Sequence, residues 1–187
     1  MVVQRPRFQW SVDDYHKLIK HGILTENHDV ELIRGDIVCN FPKSDAHVSC
    51  SLLLLNRAFR RLARDHAILS AHDPIRLADS EPEPDFALLV RRDDLYLCGK
   101  PWPADTYLVV EAADASLEYD RKVKGPLYAE NSIAEYWIVN LVDCCLEVHR
   151  DPQPDGTYAD TRTLRPGDSI ALALLPAVSV AVGDIIP

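Results

Sequence analysis

The chain has 187 residues, 47% of them hydrophobic and 26% charged, with 20 Lys and Arg against 29 Asp and Glu. That length and balance suit one globular domain over residues 1–187 and exclude a disordered, collagenous or coiled-coil chain. A formal net charge of −9 repels nucleic acid at long range, so any phosphate-binding role must rest on a local basic patch.

No apolar run approaches the ~18 residues of a membrane span. Met1 to Trp10 carries Arg5 and Arg7 but no apolar core, so a cytoplasmic protein without a secretory leader is expected. Ser11 and Asp14 mark a helix start, Val12, Tyr15, Leu18 and Ile19 give it one apolar face, and Gly22 ends it. Val30 to Ile33 reads as a strand, Arg34-Gly35-Asp36 as a turn, and Ile37-Val38 as the returning strand. Helical spacing of Val48, Leu52, Leu55, Phe59 and Leu62 predicts a long helix from about Ser44 to His66.

Pro82-Glu83-Pro84 is a stiff lead-in to a strand over Asp85 to Val90. After a polar loop with Gly99, Pro101 and Pro103, Tyr107 to Ala113 is apolar on both faces, as a central strand is. A helix is expected between Tyr119 and Asn131, then strands at Tyr136 to Leu141 and Leu146 to Arg150. Turns at Asp155-Gly156 and at Arg165 to Asp168 separate further strands near Tyr158 to Thr163, Ile170 to Leu174 and Val178 to Val182. This order predicts a mixed α/β fold, a central sheet flanked by helices with an extra N-terminal helix and C-terminal antiparallel strands.

The five cysteines, Cys39, Cys50, Cys98, Cys144 and Cys145, include no C-x-x-C pair, which argues against a zinc site or a disulfide framework. Cys144 and Cys145 are expected to be small buried hydrophobes on a strand. Glycine-rich nucleotide loops, H-E-x-x-H and G-x-S-x-G are absent. No nucleotide cofactor, zinc protease or typical serine hydrolase is therefore expected.

Three carboxylates stand in unlikely places. Glu111 interrupts Leu108-Val109-Val110, Asp85 opens Phe86-Ala87-Leu88-Leu89, and Glu31 sits within Val30 to Ile33. A carboxylate inside an apolar strand is costly unless paired, protonated or metal-bound. If the strands are neighbours, the three acids converge at one end of the sheet and form a hard oxygen site for Mg²⁺ or Mn²⁺. The plainer alternative is that each is solvated or paired with an arginine. Lys124 lies four residues after Asp120 and can share a helix face with it. Lys122 competes, and only one of the two can face a common site. Arg57, Arg60, Arg61 and Arg64 form a basic stripe, either a solvated helix back or a phosphate-contact strip. His47 could orient a substrate phosphate or cap that helix.

At these residues the sequence resembles a known family. Asp29 to Val38 resembles the early hairpin of the Uma-two family of predicted restriction-type endonucleases, and Tyr15 to Thr25 its opening helix. Pro84-Asp85 resembles its P-D motif. Val109-Val110-Glu111, Ala115-Ser116, Tyr119-Asp120-Arg121, Lys124, Tyr128-Ala129 and Glu135 to Val139 continue the match over nearly the whole chain. The family belongs to the PD-(D/E)XK nucleases. The resemblance implies a restriction-endonuclease-like core and Mg²⁺- or Mn²⁺-dependent hydrolysis of DNA. Carried over by position, Asp85 and Glu111 would hold the metal and Glu31 would complete or support the site. The superfamily's lysine position, two after the acid, is Ala113 here, so the implied catalytic lysine is Lys124 from the following helix. His47, Arg57, Arg61, Arg121 and Lys122 are the expected nucleic-acid contacts. Cutting both strands of a duplex would make a homodimer natural, although the sequence carries no interface signature. Two other readings stay open: a catalytically silent interaction or nucleic-acid-binding module on the same fold, and a hydrolase of small phosphoesters.

Overall fold

A computed structural model describes residues 7–62 and 66–186, apart from a few side chains, among them Leu52, Arg61 and Leu62. Arg5 and Arg64 lie outside the described residues. Helix α1 (Val12–Lys20) begins where the Ser11 hydroxyl accepts from the Asp14 amide. Val12 and Tyr15 are buried beneath it, whereas Ile19, expected on the same face, is exposed. The helix packs on the hairpin β1 (Val30–Ile33) and β2 (Asp36–Cys39) through Val12, Tyr15 and Leu32.

Among the described residues the central sheet has six strands in the order β3 (Ala67–Ser70), β4 (Phe86–Val90), β5 (Thr106–Ala113), β6 (Glu135–Asn140), β7 (Cys145–Pro152) and β8 (Tyr158–Leu164). Only β5 and β6 run parallel, joined by the helical residues 117–130, as a parallel pair requires. A small antiparallel pair, β9 (Ser169–Ala171) and β10 (Ser179–Ala181), completes the described strands. Strand β3 was not expected from the sequence, since four residues offer too little alternation to separate them from a helix end.

Residue alternation along β5 sorts its side chains onto two faces. Leu108, Val110 and Ala112 join Phe59, Phe86, Trp137 and the β9–β10 hairpin in one apolar layer. Val109 and Ala113 join Leu127, Tyr128, Tyr136 and Ile138 in the other. Helical residues 45–62 cover the first face and residues 117–130 the second. Each fully buried Phe or Leu in these layers contributes about 1.5–3 kcal/mol relative to exposure. Among the described residues no helix is long and apolar enough to cross a membrane.

Both helical stretches contain a wide π turn, Cys50–Leu55 in the first and Asp120–Lys124 in the second. One extra residue in a turn shifts the downstream face by about 100° from the α-helical expectation. This is why Val48, expected in the apolar stripe, is exposed while its neighbour His47 is buried. The helix is described as far as Leu62, the expected continuation over 63–65 lies outside the described residues, and His66 is in a turn. Cys144 departs from expectation too. It lies in the turn before β7 with φ +51°, and is exposed, whereas Cys145 is buried as expected.

Candidate active site

Asp85 immediately precedes β4, and in the β4–β5 register Phe86 faces Val110, which sets Asp85 beside Glu111. The two are laced through the backbone. The Asp85 amide donates to Glu111 Oε2 at 3.3 Å, and the Ala112 amide donates to Asp85 Oδ2 at 2.9 Å. Both carboxylates are buried, as is Glu31. Strand β1 is not a neighbour of β4 or β5 in the sheet, contrary to the simplest way of bringing the acids together. The hairpin instead lies across the sheet end, held where the Glu81 amide donates to the Leu32 carbonyl at 2.7 Å. The Glu83 amide then donates to Glu31 Oε2 at 3.0 Å.

Lys124 enters this row of acids from the helix. Its Nζ lies 3.1 Å from Glu111 Oε1 and 3.2 Å from Glu31 Oε2, and the Tyr128 hydroxyl donates to the same Glu111 oxygen at 2.9 Å. Asp120, also buried, accepts from the Ser116 hydroxyl at 2.6 Å. The π turn brings both Asp120 and Lys124 inward, and its 5-residue bond runs from the Gly125 amide to the Asp120 carbonyl. A Cβ on Gly125 would stand 3.2 Å from that carbonyl oxygen and 3.5 Å from the Tyr136 ring, so the tight approach favours glycine. Pro126, which cannot donate a backbone hydrogen bond, falls directly after the π turn, in the first turn of the following α-helical segment.

The pocket so formed encloses about 150 Å³. Among the described residues it is lined by seven carboxylates (Asp29, Glu31, Glu83, Asp85, Glu111, Asp114 and Asp120) against two lysines, Lys43 and Lys124, with His47 and His72. Burial, with neighbouring carboxylates adding to it, pushes the Glu111, Glu83 and Asp120 carboxyls above their usual range, Asp120 to about 6. Burial acts against the Lys124 ammonium, but Glu111, Glu31 and Asp120 outweigh it and hold the group charged. Asp85 goes the other way. Burial would raise its carboxyl, yet His47 Nε2 at 2.9 Å and Lys43 Nζ at 3.0 Å hold it well below the carboxylate range. Burial and the nearby Lys43 push the His72 imidazole below its usual range.

Glu31, Asp85, Glu111, Lys124 and His47 thus share one pocket. Lys122 does not, since it is exposed and paired with Glu118. Arg121 is also outside, its guanidinium donating to Glu147 and Glu118. Arg57 is exposed away from the pocket, and the Arg61 side chain lies outside the described residues. Sequence reasoning missed Lys43, His72 and Glu83. Glu83 stands between two prolines just ahead of Asp85, a signal available in the sequence, but Lys43 and His72 break no local pattern. A wider cleft of about 700 Å³ at the β3 edge has mixed walls, with Leu69, Leu89 and Leu95 beside Asp73 and Arg76, and no converging carboxylates.

Most potential donors around Asp85 and Glu111 are carboxylate oxygens, the hard chemistry that suits Mg²⁺ or Mn²⁺, with the imidazoles of His47 and His72 beside them. Among the described residues no group of three or more His, Cys, Asp or Glu side chains is placed to hold a metal ion by itself. Magnesium is usually held by one or two carboxylates with water and substrate phosphate completing its shell, so this open arrangement fits the ion.

Residues 12–183 match the model of the Uma2 family, described as "Putative restriction endonuclease". The fold matches a crystal structure of "a putative nuclease belonging to DUF820" from Anabaena variabilis ATCC 29413. The TM-score is 0.67 at 13% sequence identity, over 94% of this chain and 97% of that one, a likeness of fold. No curated protein matches the sequence.

Proposed function

The chain belongs to the Uma2 family, and from that premise we propose that it is a divalent-metal-dependent endonuclease hydrolysing phosphodiester bonds of DNA. The observation that carries this reading is Lys124 held between Glu31 and Glu111, in the same pocket as Asp85. Asp85 and Glu111 would hold the Mg²⁺ or Mn²⁺, with Glu31 in support. When bound, the cation would polarise the scissile phosphoryl group and lower the pKa of a coordinated water.

The protein's own groups have separate tasks. Glu111, Glu31 and Asp120 hold the Lys124 ammonium charged, so it can serve as a hydrogen-bond donor. In that state it offsets the negative charge that develops on the phosphate oxygens. Glu31 and the Tyr128 hydroxyl fix the Lys124–Glu111 pair from either side, limiting the geometry available to the ammonium. The surplus of carboxylates attracts a cation and repels bare DNA, so substrate phosphate is expected to enter well only after the pocket is charge-compensated. Cutting both strands of a duplex would need two such sites, which a symmetric homodimer would supply.

Nicking of supercoiled plasmid tests the reading. Cleavage is expected with Mg²⁺ or Mn²⁺ and is expected to be lost in EDTA and in Asp85→Ala. Equal nicking under all three conditions would remove the proposed site. Mn²⁺ binding without cleavage of any DNA would favour a catalytically silent module, to which the ion pairs already made by Asp85 also lend themselves.

A further inference from the structure

We infer that Lys43 is a built-in counter-ion for Asp85, one that yields its place to a divalent cation and then contacts the substrate phosphate. The inference rests on the metal-dependent reading above. Lys43 stands in the coil of residues 40–44 between β2 and the helix that starts at Asp45, outside any regular element. Its Nζ lies 3.0 Å from Asp85 Oδ1 and 3.3 Å from His72 Nδ1, while its side chain keeps 36% of its surface exposed.

The two ammonium groups of the pocket differ in how they are held. Lys124 is 7% exposed, rooted in a helix and clasped by two carboxylates. Lys43 reaches in from the rim on a four-carbon stem and touches one carboxylate, Asp85. A lysine is a compact charge on a flexible stem, so it can change partner without a backbone shift. Before a metal arrives, Lys43 together with His47 keeps the buried Asp85 carboxylate from being an uncompensated charge. A divalent cation on Asp85 would bring like charges within a few ångströms of each other, a repulsion that expels the ammonium toward the pocket mouth. There it meets incoming phosphate, and so gives an acidic protein a local positive contact at the place where cleavage would occur.

The test uses the full chain at one fixed pH. Calorimetric titration with Mn²⁺ is expected to give at least about tenfold tighter binding for Lys43→Gln than for the wild type, because a competing cation has been removed. Lys43→Arg keeps the charge and is expected to retain wild-type Mn²⁺ affinity, which separates charge from packing. With a duplex oligonucleotide in Ca²⁺, the salt dependence of Lys43→Gln binding is expected to be shallower by about one phosphate contact. Equal Mn²⁺ affinity in the wild type and Lys43→Gln would overturn the inference and leave the metal-dependent reading intact. Absence of Mn²⁺ binding in both proteins would sink the two together. Tighter Mn²⁺ binding with an unchanged salt slope would overturn the phosphate contact alone.

Discussion

Two buried acidic sites sit on opposite faces of the same sheet, and they are built on opposite principles. Glu135 opens β6 on the face shared with Trp137, fully buried. Its Oε1 accepts from Trp137 Nε1 at 2.7 Å and from the Arg150 guanidinium, and its Oε2 accepts from the Ala173 amide at 2.7 Å. Arg150 goes on to donate to the Ala171 carbonyl, so the cluster ties the sheet to the β9 segment. Every charge there is answered, and Glu135 lines no described pocket. Around Asp85 and Glu111 the carboxylates outnumber the cations and face a cavity. Burying an acid is thus not in itself a sign of chemistry. An uncompensated surplus of acids beside open space is the more telling arrangement.

The comparison breaks if both sites respond alike to substitution. Asp85→Ala is expected to lower plasmid nicking on the order of 10³-fold or more while the variant still unfolds cooperatively in urea. Glu135→Ala is expected to do the reverse. Stranding Arg150, Trp137 Nε1 and the Ala173 amide should cost about 3–5 kcal/mol in urea unfolding, with the nicking rate per folded molecule unchanged.

A smaller effect sharpens the contrast. Burial raises the Asp120 carboxyl from its ordinary 3.8 to about 6. The folded chain therefore binds a proton more tightly than the unfolded chain, and stability falls as pH rises from about 4 to 6. Asp120→Asn removes that cost. It is expected to stabilise the fold by roughly 2–3 kcal/mol at pH 8 and by little at pH 4, read from urea midpoints at the two pH values. A larger gain at pH 4 than at pH 8 would reverse the sign and defeat the argument. Smallest of all, Lys122→Ala is expected to change neither nicking nor melting temperature, since Lys122 is exposed and pairs with a surface glutamate.

Much of this site was legible because its residues break local rules. Glu31, Asp85 and Glu111 interrupt apolar strands, and the spacing of Asp120 and Lys124 placed them on one helix face. Lys43 was not legible, because its partner Asp85 is 42 residues away and no periodicity runs through the coil that carries it. The inward turn of His47 and the exposure of Val48 depend on the π stretch of residues 50–55. A five-residue hydrogen-bond step leaves no mark in an apolar pattern read at 3.6 residues per turn. The basic stripe reads from the sequence either as a solvated helix back or as a phosphate-contact strip, and Arg57 and Arg60 are exposed and do not line the acidic pocket.

Lys124 rides on the crossover between β5 and β6, whereas Glu111 belongs to the ladder itself and Asp85 stands at its end, just ahead of β4. The site is consequently modular. One alanine inserted between Leu117 and Glu118, inside the helical stretch, would leave the paired acids in register yet swing the ammonium about a quarter-turn away. The cation-binding half of the machinery could then be isolated from its electrostatic partner without altering a single side chain in either.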